Sequence, residues 1–574
     1  MGPAGLGTMI GVSERRWVPR RQGWRVALVG WVVVAGCSAG APAGVSVGRD
    51  GGADATAARA AVGPSPLRRL SDDEYLNALH DLFPSLSPTL PALPPDIPVA
   101  GFDNAAEAQQ PSDVLIARYE AIGTLYAAAA TADPASVSAL VGCADWSTPA
   151  LATACAAAFV DATGRRLFRR PLDAGEHARF LASFEAWASA IDFPGAAQLT
   201  LGAMLQSPQF LYRPEPVVGT AATGSAVPVA PFAMATRLSF FLWQSVPDDV
   251  LLDAAAQGAL ATDDQLRAQA TRMLADVRAQ RVLWSFPRQW LGLDQILLPE
   301  HAVRTPEVDP NWTTATQASA FTETQLFVQN VLGQGGTLRD LLTSPRAWVD
   351  GEMSRVYGLP APQDPSAWSE VTLPSSERAG LLTRASFLAG NSHRGATSPP
   401  VRGNAIQLRL LCELPISPPP GVDLSQPMAD AGAGPETNRT LFEQRTAPAY
   451  CQACHAGLNG FGFGFEEYDA AGHHQTTDDG LPVDATGTIT GTDVNGPFDG
   501  ALALSRALAG SAVVHACATQ ELVRDALGRA PVDVEAPSVA ALAESFFASG
   551  GDLRALLADI VLTPSFRMQL VEGN

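Results

Sequence analysis

Residues 450–469 read Y-C-Q-A-C-H-A-G-L-N-G-F-G-F-G-F-E-E-Y-D. Cys451, Cys454 and His455 form a C-x-x-C-H motif, the attachment signature of a c-type haem. The spacing has a physical reason. Positions three apart share one face of a helical turn, so both sulfurs can meet the two vinyl groups of one porphyrin edge. His455, the next residue, is then placed to offer its imidazole to the iron as the proximal ligand. Cysteine and histidine number only 7 and 8 in 574 residues, so a chance match is improbable. The competing readings are a C-x-x-C disulfide, or a zinc site completed by His473 and His474.

A chain of 574 residues exceeds a single hydrophobic core and should divide into several domains. Its 47% hydrophobic and 17% charged residues are those of a globular protein. The 58 acidic against 38 basic residues give a net charge of −20. That balance argues against nucleic-acid binding, which needs a basic surface to displace counterions. Solubility is the plainer account of the acidity.

The first residues read as an export signal. Arg15, Arg16, Arg20, Arg21 and Arg25 precede the apolar run V-A-L-V-G-W-V-V-V-A, from Val26 to Ala35. Ten residues are too few to span a bilayer, so the run is a signal core rather than a membrane helix. It ends in V-A-G-C, which resembles a bacterial lipoprotein box with Cys37 as the lipidated residue. Cleavage after Ala41-Pro42-Ala43 is the alternative. The Arg15-Arg16 pair lacks the flanks of a twin-arginine signal, so general secretion is expected. Either route ends in the periplasm or at the cell surface, where disulfides persist. Membrane contact is expected only through the lipid on Cys37. With Cys451 and Cys454 assigned to haem, four cysteines remain. The even remainder points to two disulfides, Cys143 with Cys155 and Cys412 with Cys517.

The pattern predicts a mainly α chain of small helical domains in tandem. Residues 1–37 are the signal and 38–64, mostly Gly, Ala, Ser and Pro, a flexible tether. Helical domains are expected at 65–135, 140–215 (Arg-rich) and 228–362 (Trp-rich). A haem-type C-x-x-C-H domain follows at 376–492, and a C-terminal helical domain at 495–570. Ser71 with Glu74 makes a capping box at the first helix. Helices are predicted at 112–132, 174–190 and 195–207, and long amphipathic stretches at 264–293 and 316–332. Arg165, Arg166, Arg169 and Arg170 are expected along a helix that Pro171 ends. Trp243, Trp284 and Trp290 read as core aromatics. The phrase G-T-L-R-D-L-L at Gly336 recurs as G-D-L-R-A-L-L at Gly551, though two copies do not establish a duplication. The tract L-P-I-S-P-P-P-G-V-D from Leu414 must be extended. The only clear β signal lies near residues 480–492. Four helices should close the chain, at 500–510, 514–527, 539–547 and 553–562.

Several phrases occur in one order: L-S-D-D-E-Y-L-N-A-L, G-F-D-N, R-R-L-F-R-R-P-L, R-L-S-F-F-L-W-Q-S-V-P-D, R-A-G-L-L-T-R-A-S-F-L, S-P-P-V-R-G and C-Q-A-C-H with G-F-G-F-E-E-Y-D-A-A-G. A-L-G-R follows near Arg529. Over roughly residues 66–570 this order resembles the secreted, cytochrome-associated proteins of Planctomycetes and myxobacteria built from tandem domains of unknown function. The resemblance implies a haem c bound covalently at Cys451 and Cys454 with His455 on the iron. Where the family commonly has Arg after D-A-x-G, this chain has His473 and His474, a departure that could supply a sixth ligand.

The expectation is an exported, cytochrome-c-like protein passing electrons to a redox partner protein or extracellular substrate. If it is an enzyme, an unfilled sixth position would make it a haem-dependent oxidoreductase. The alternative is a non-redox surface scaffold lipoprotein in which the cysteine motif is structural. A hydrolase is disfavoured, because the one G-x-S-x-G match, around Ser46, lies in the tether. Glu466, Glu467 and Asp469 read as a capping or salt-bridge cluster rather than an acid/base pair.

Overall fold

Side-chain caps decide where many of the helices begin. Ser71 accepts from the Glu74 N–H while the Glu74 carboxylate accepts from the Ser71 N–H, which starts the helix Asp72–Leu82 at the expected box. Asp173 and Glu176 do the same for Ala174–Ala190, with the bounds the sequence predicts. The computed structural model describes residues 62–217, 219–413 and 434–571. Among them are 23 α-helices and five two-stranded antiparallel sheets, so the chain is mainly α. The export signal with Cys37, the tether before residue 62 and the proline tract from Leu414 lie outside the described residues.

Apolar side chains gather in three clusters. The first includes Tyr75, Ile122, Phe159, Leu201 and Phe210, from the helices between Asp72 and Leu211. The second, larger one unites Trp243, Trp290, Phe327, Phe461, Leu504 and Leu557. Trp284 packs on its edge, so all three tryptophans serve the core. Met353 is fully buried in the third, beside Trp312 and Tyr357.

Two segments close on themselves in the same way. Arg68–Arg69 pairs with Tyr212–Arg213, and Ala226–Pro228 with Met568–Leu570. Each closing strand follows a one-turn helix opened by Ser207-Pro208 or Thr563-Pro564. In each case a buried arginine donates to that turn's carbonyls. Arg169 reaches those of Gln209 (2.8 Å) and Phe210 (3.0 Å), and Arg237 reaches those of Ser565 (3.4 Å) and Phe566 (2.7 Å). The recurring phrase is also a contact, since the Leu338 N–H donates to the Gly551 carbonyl at 2.8 Å.

Three expectations are corrected. The helix carrying the arginines ends at Leu167, not at Pro171, because Arg169 takes a left-handed φ of +59° to turn its guanidinium inward. The stretch 264–293 is broken into Asp263–Leu274 and Gln280–Trp290 by a turn capped by Asp276. Sheets near residues 480–492 are present, at Thr477–Pro482 and Thr486–Asp499, but three more lie elsewhere. Their strands have two to four residues and pair with distant partners, too little for a period-two pattern.

Both disulfides form, with Cα–Cα distances of 6.0 Å for Cys143–Cys155 and 5.4 Å for Cys412–Cys517. The second ties the end of the helix Pro399–Leu410 to the helix Ala512–Leu527.

Candidate functional site

The C-x-x-C-H motif lies in the first two turns of the helix Ala449–Gly462. Glycines bring two neighbours onto this helix at backbone distance. A Cβ on Gly403, in the helix Pro399–Leu410, would stand 1.8 Å from the Leu458 carbonyl oxygen, and one on Gly462 would stand 1.9 Å from that of Pro399. On another side, a Cβ on Gly487 would come within 2.3 Å of the Gly460 oxygen. These contacts bury Leu458, Asn459 and Phe461. They leave the N-terminal half, with Cys451, Cys454 and His455, half-buried and both thiols unpaired.

A chain of hydrogen bonds fixes the histidine tautomer. The Thr446 hydroxyl donates to the Phe442 carbonyl at 2.6 Å, which can only accept. Its lone pair must then accept, and it does so from Asn459 Nδ2 at 3.0 Å. That turns Asn459 Oδ1 towards His455 Nδ1, 3.4 Å away, so Nδ1 carries the proton. The Nε2 lone pair is left for a ligand. Metal-binding histidines are oriented in this manner by their second nitrogen. Asn459 is missed by a reading of the sequence alone, although its i+4 spacing from His455 is the signal that could find it. Thr446 carries no such signal.

The residues after the motif are locked to the S-P-P-V-R-G block. Arg402, fully buried, donates to the carbonyls of Phe465 (2.8 Å), Tyr468 (3.0 Å) and Asp469 (2.8 Å) and to the Ser392 hydroxyl (3.0 Å). Burial pushes its guanidinium down to about 10, which leaves it charged at neutral pH. Glu466 accepts from Thr397 (3.0 Å) and from Asn438 (2.8 Å), and burial raises its carboxyl. It is a structural anchor, as the cluster reading expects.

His473, His474 and His515 are engaged elsewhere. His473 Nδ1 meets Asp469 Oδ2 at 2.8 Å, and its Nε2 lies 3.6 Å from Asp309 Oδ2. His474 packs edge-on against Tyr468, and burial lowers its imidazole. His515 is buried against Phe546 and Phe547. Among the described residues no group of three His, Cys, Asp or Glu side chains gathers to hold an ion. A zinc site of Cys451 and Cys454 completed by His473 and His474 is not assembled among the described residues. Haem attachment makes no such demand, because its two sulfurs bond to porphyrin carbons and only His455 would meet the metal. The donor set fits that group: two free thiols and one oriented imidazole, all on one half-open face.

Five family models match in tandem, each described as a protein of unknown function. They are DUF1587 at residues 68–132, DUF1595 at 155–215, DUF1592 at 229–359, DUF1588 at 378–478 and DUF1585 at 495–566. The DUF1588 match, labelled PSCyt3, contains the C-x-x-C-H helix, Arg402 and Asn459. No curated protein and no solved structure matches the chain.

Proposed function

The chain belongs to the planctomycete cytochrome-associated family of tandem-domain proteins, and from that premise we propose that it is an exported c-type cytochrome passing electrons outside the cytoplasmic membrane. Cys451 and Cys454 would each add S–H across one vinyl group of haem, leaving two thioethers, and His455 Nε2 would be the proximal ligand. Bound there, the haem supplies a one-electron iron centre. The observation that carries the reading is the relay from Thr446 through Asn459 to His455, which commits Nδ1 as a donor and leaves Nε2 without a hydrogen bond among the described residues, on the same helix as two free thiols. Asn459 holds the proton at Nδ1 and fixes the ring plane. The Gly403 and Gly462 contacts hold this helix at backbone distance from the helix Pro399–Leu410. His473 and His474, the candidates for a sixth ligand, make the contacts described above.

Export and lipid anchoring at Cys37 belong to the same proposal, motivated by the V-A-G-C box. A partner is then a redox protein or an extracellular substrate reached from the membrane surface. The full chain should be matured in a host with c-type haem machinery and titrated potentiometrically under an absorption spectrometer. A single reversible one-electron wave is expected. A fully matured preparation without a haem spectrum would instead favour the scaffold lipoprotein.

A further inference from the structure

The four arginines of R-R-L-F-R-R take separate tasks. Arg165 pairs with Asp249 and Asp253, Arg170 pairs with Glu176, and Arg169 is committed to the carbonyls at 209–212. Arg166, like Arg169, has no carboxylate partner among the described residues, and unlike Arg169 it has no set of carbonyls in its place. Its only polar contact there is a long one, from Nη2 to the Leu82 carbonyl at 3.4 Å.

Arg166 lines a cleft of about 310 Å³, a size that suits a small ligand. Phe83 and Leu86 come from the end of the first helix and the loop after it, and Leu140 from the helix Pro134–Val141. These three are only partly buried by the first core. Leu167, on the helix Pro149–Leu167, forms the floor with Leu82. The Cys143–Cys155 bridge fastens the loop between the two wall helices, so the cleft is formed in advance and little ordering is needed to fill it.

The lining is mainly apolar, with Ser85, Ser136 and Thr163 among it, and the exposed guanidinium of Arg166 is its one cation. A neutral apolar molecule would make no use of the charge that Arg166 offers. A polyanion would place its further charges against Phe83 and Leu140. We propose that this cleft binds an acyl-chain carboxylate, the carboxylate on Arg166 and the chain along Phe83, Leu86 and Leu140. The site is independent of the C-x-x-C-H helix.

The test uses the full chain and dansylaminoundecanoic acid, displaced by dodecanoate below its micelle concentration. Saturable, blue-shifted fluorescence is expected. Arg166→Gln should weaken it by about tenfold, the scale of one charge-assisted contact, while binding of the methyl ester of the probe stays the same in both proteins. Ala139→Trp, an exposed wall position, should block acid and ester alike with the circular dichroism unchanged. No saturable binding, an Arg166→Gln variant as tight as the parent, or full binding in a folded Ala139→Trp variant would each overturn the proposal.

Discussion

His455 Nδ1 lies 3.4 Å from Asn459 Oδ1, one helical turn further along the same helix. The contact ties the exposed end of the motif helix to its buried end, because Asn459 is only 5% exposed and anchored in turn on Thr446. His455 is therefore referenced to the core rather than to the surface it faces.

Changing Asn459 should move the reduction potential without removing the haem. Asn459→Asp offers a stronger acceptor, makes His455 more basic and should lower the potential. Asn459→Leu removes the acceptor and should raise it, while loosening the axial bond by roughly 10–100-fold in affinity. Voltammetry of the two variants reads both signs. Equal potentials in all three proteins would mean that the relay does not reach the iron.

Gly403→Ala should be far more damaging than a helix-favouring substitution ordinarily is. Alanine in an open helix is favoured by up to about 1 kcal/mol, yet here its Cβ would stand 1.8 Å from the Leu458 oxygen. The two helices must part, at a cost of about 3 kcal/mol or more. Gly175→Ala, in the first turn of an outer helix where the only near atom is a carboxylate oxygen 3.3 Å away, serves as the control and should lie within about 1 kcal/mol of the parent. Urea unfolding compares them.

Acid should loosen the C-terminal segment through Glu535. Burial by itself would raise this carboxyl, but the Arg529 guanidinium and the Val532 N–H hold it at about 2. A depressed acid contributes stability above its unfolded value near 4.5, and that contribution is lost as pH falls towards 2. Glu535→Gln should be less stable than the parent at pH 7 by roughly 2–3 kcal/mol, with the gap closing by pH 2. A gap that stays constant with pH would show that Glu535 acts through packing alone.

The Cys412–Cys517 bridge should matter more than its neighbour. It closes a separation of 105 residues against 12 for Cys143–Cys155. In the chain-entropy account those loops are worth about 4–5 and about 3 kcal/mol before strain. Replacing both cysteines of each bridge by alanine, and comparing denaturant midpoints, should rank them in that order.

Local chemistry made much of this legible in the sequence. The Ser71–Glu74 box, the helix Ala174–Ala190 and both disulfide pairs follow from residues that cap, alternate or remain after assignment. The hidden features depend on contacts between distant segments. Arg402 reads as one more arginine near a helix start, and only the fold reveals that it gathers carbonyls more than 60 residues away. The strand Met568–Leu570 is unreadable because its partner, Ala226–Pro228, lies more than 300 residues earlier. At the site, Cys451, Cys454 and His455 are legible as a motif. Asn459 is not, since an asparagine in a glycine-rich helix is equally at home as a cap or a turn.

The most direct test is mass spectrometry of the proteolytic peptide spanning Thr446 to Glu466, taken from protein matured with c-type haem machinery and alkylated under denaturing conditions. The prediction is one peptide heavier by one haem, with neither Cys451 nor Cys454 alkylated, and loss of that mass in a Cys451→Ser, Cys454→Ser double variant. A haem-free peptide with both thiols alkylated, from a host that matures other c-type cytochromes, would contradict the assignment.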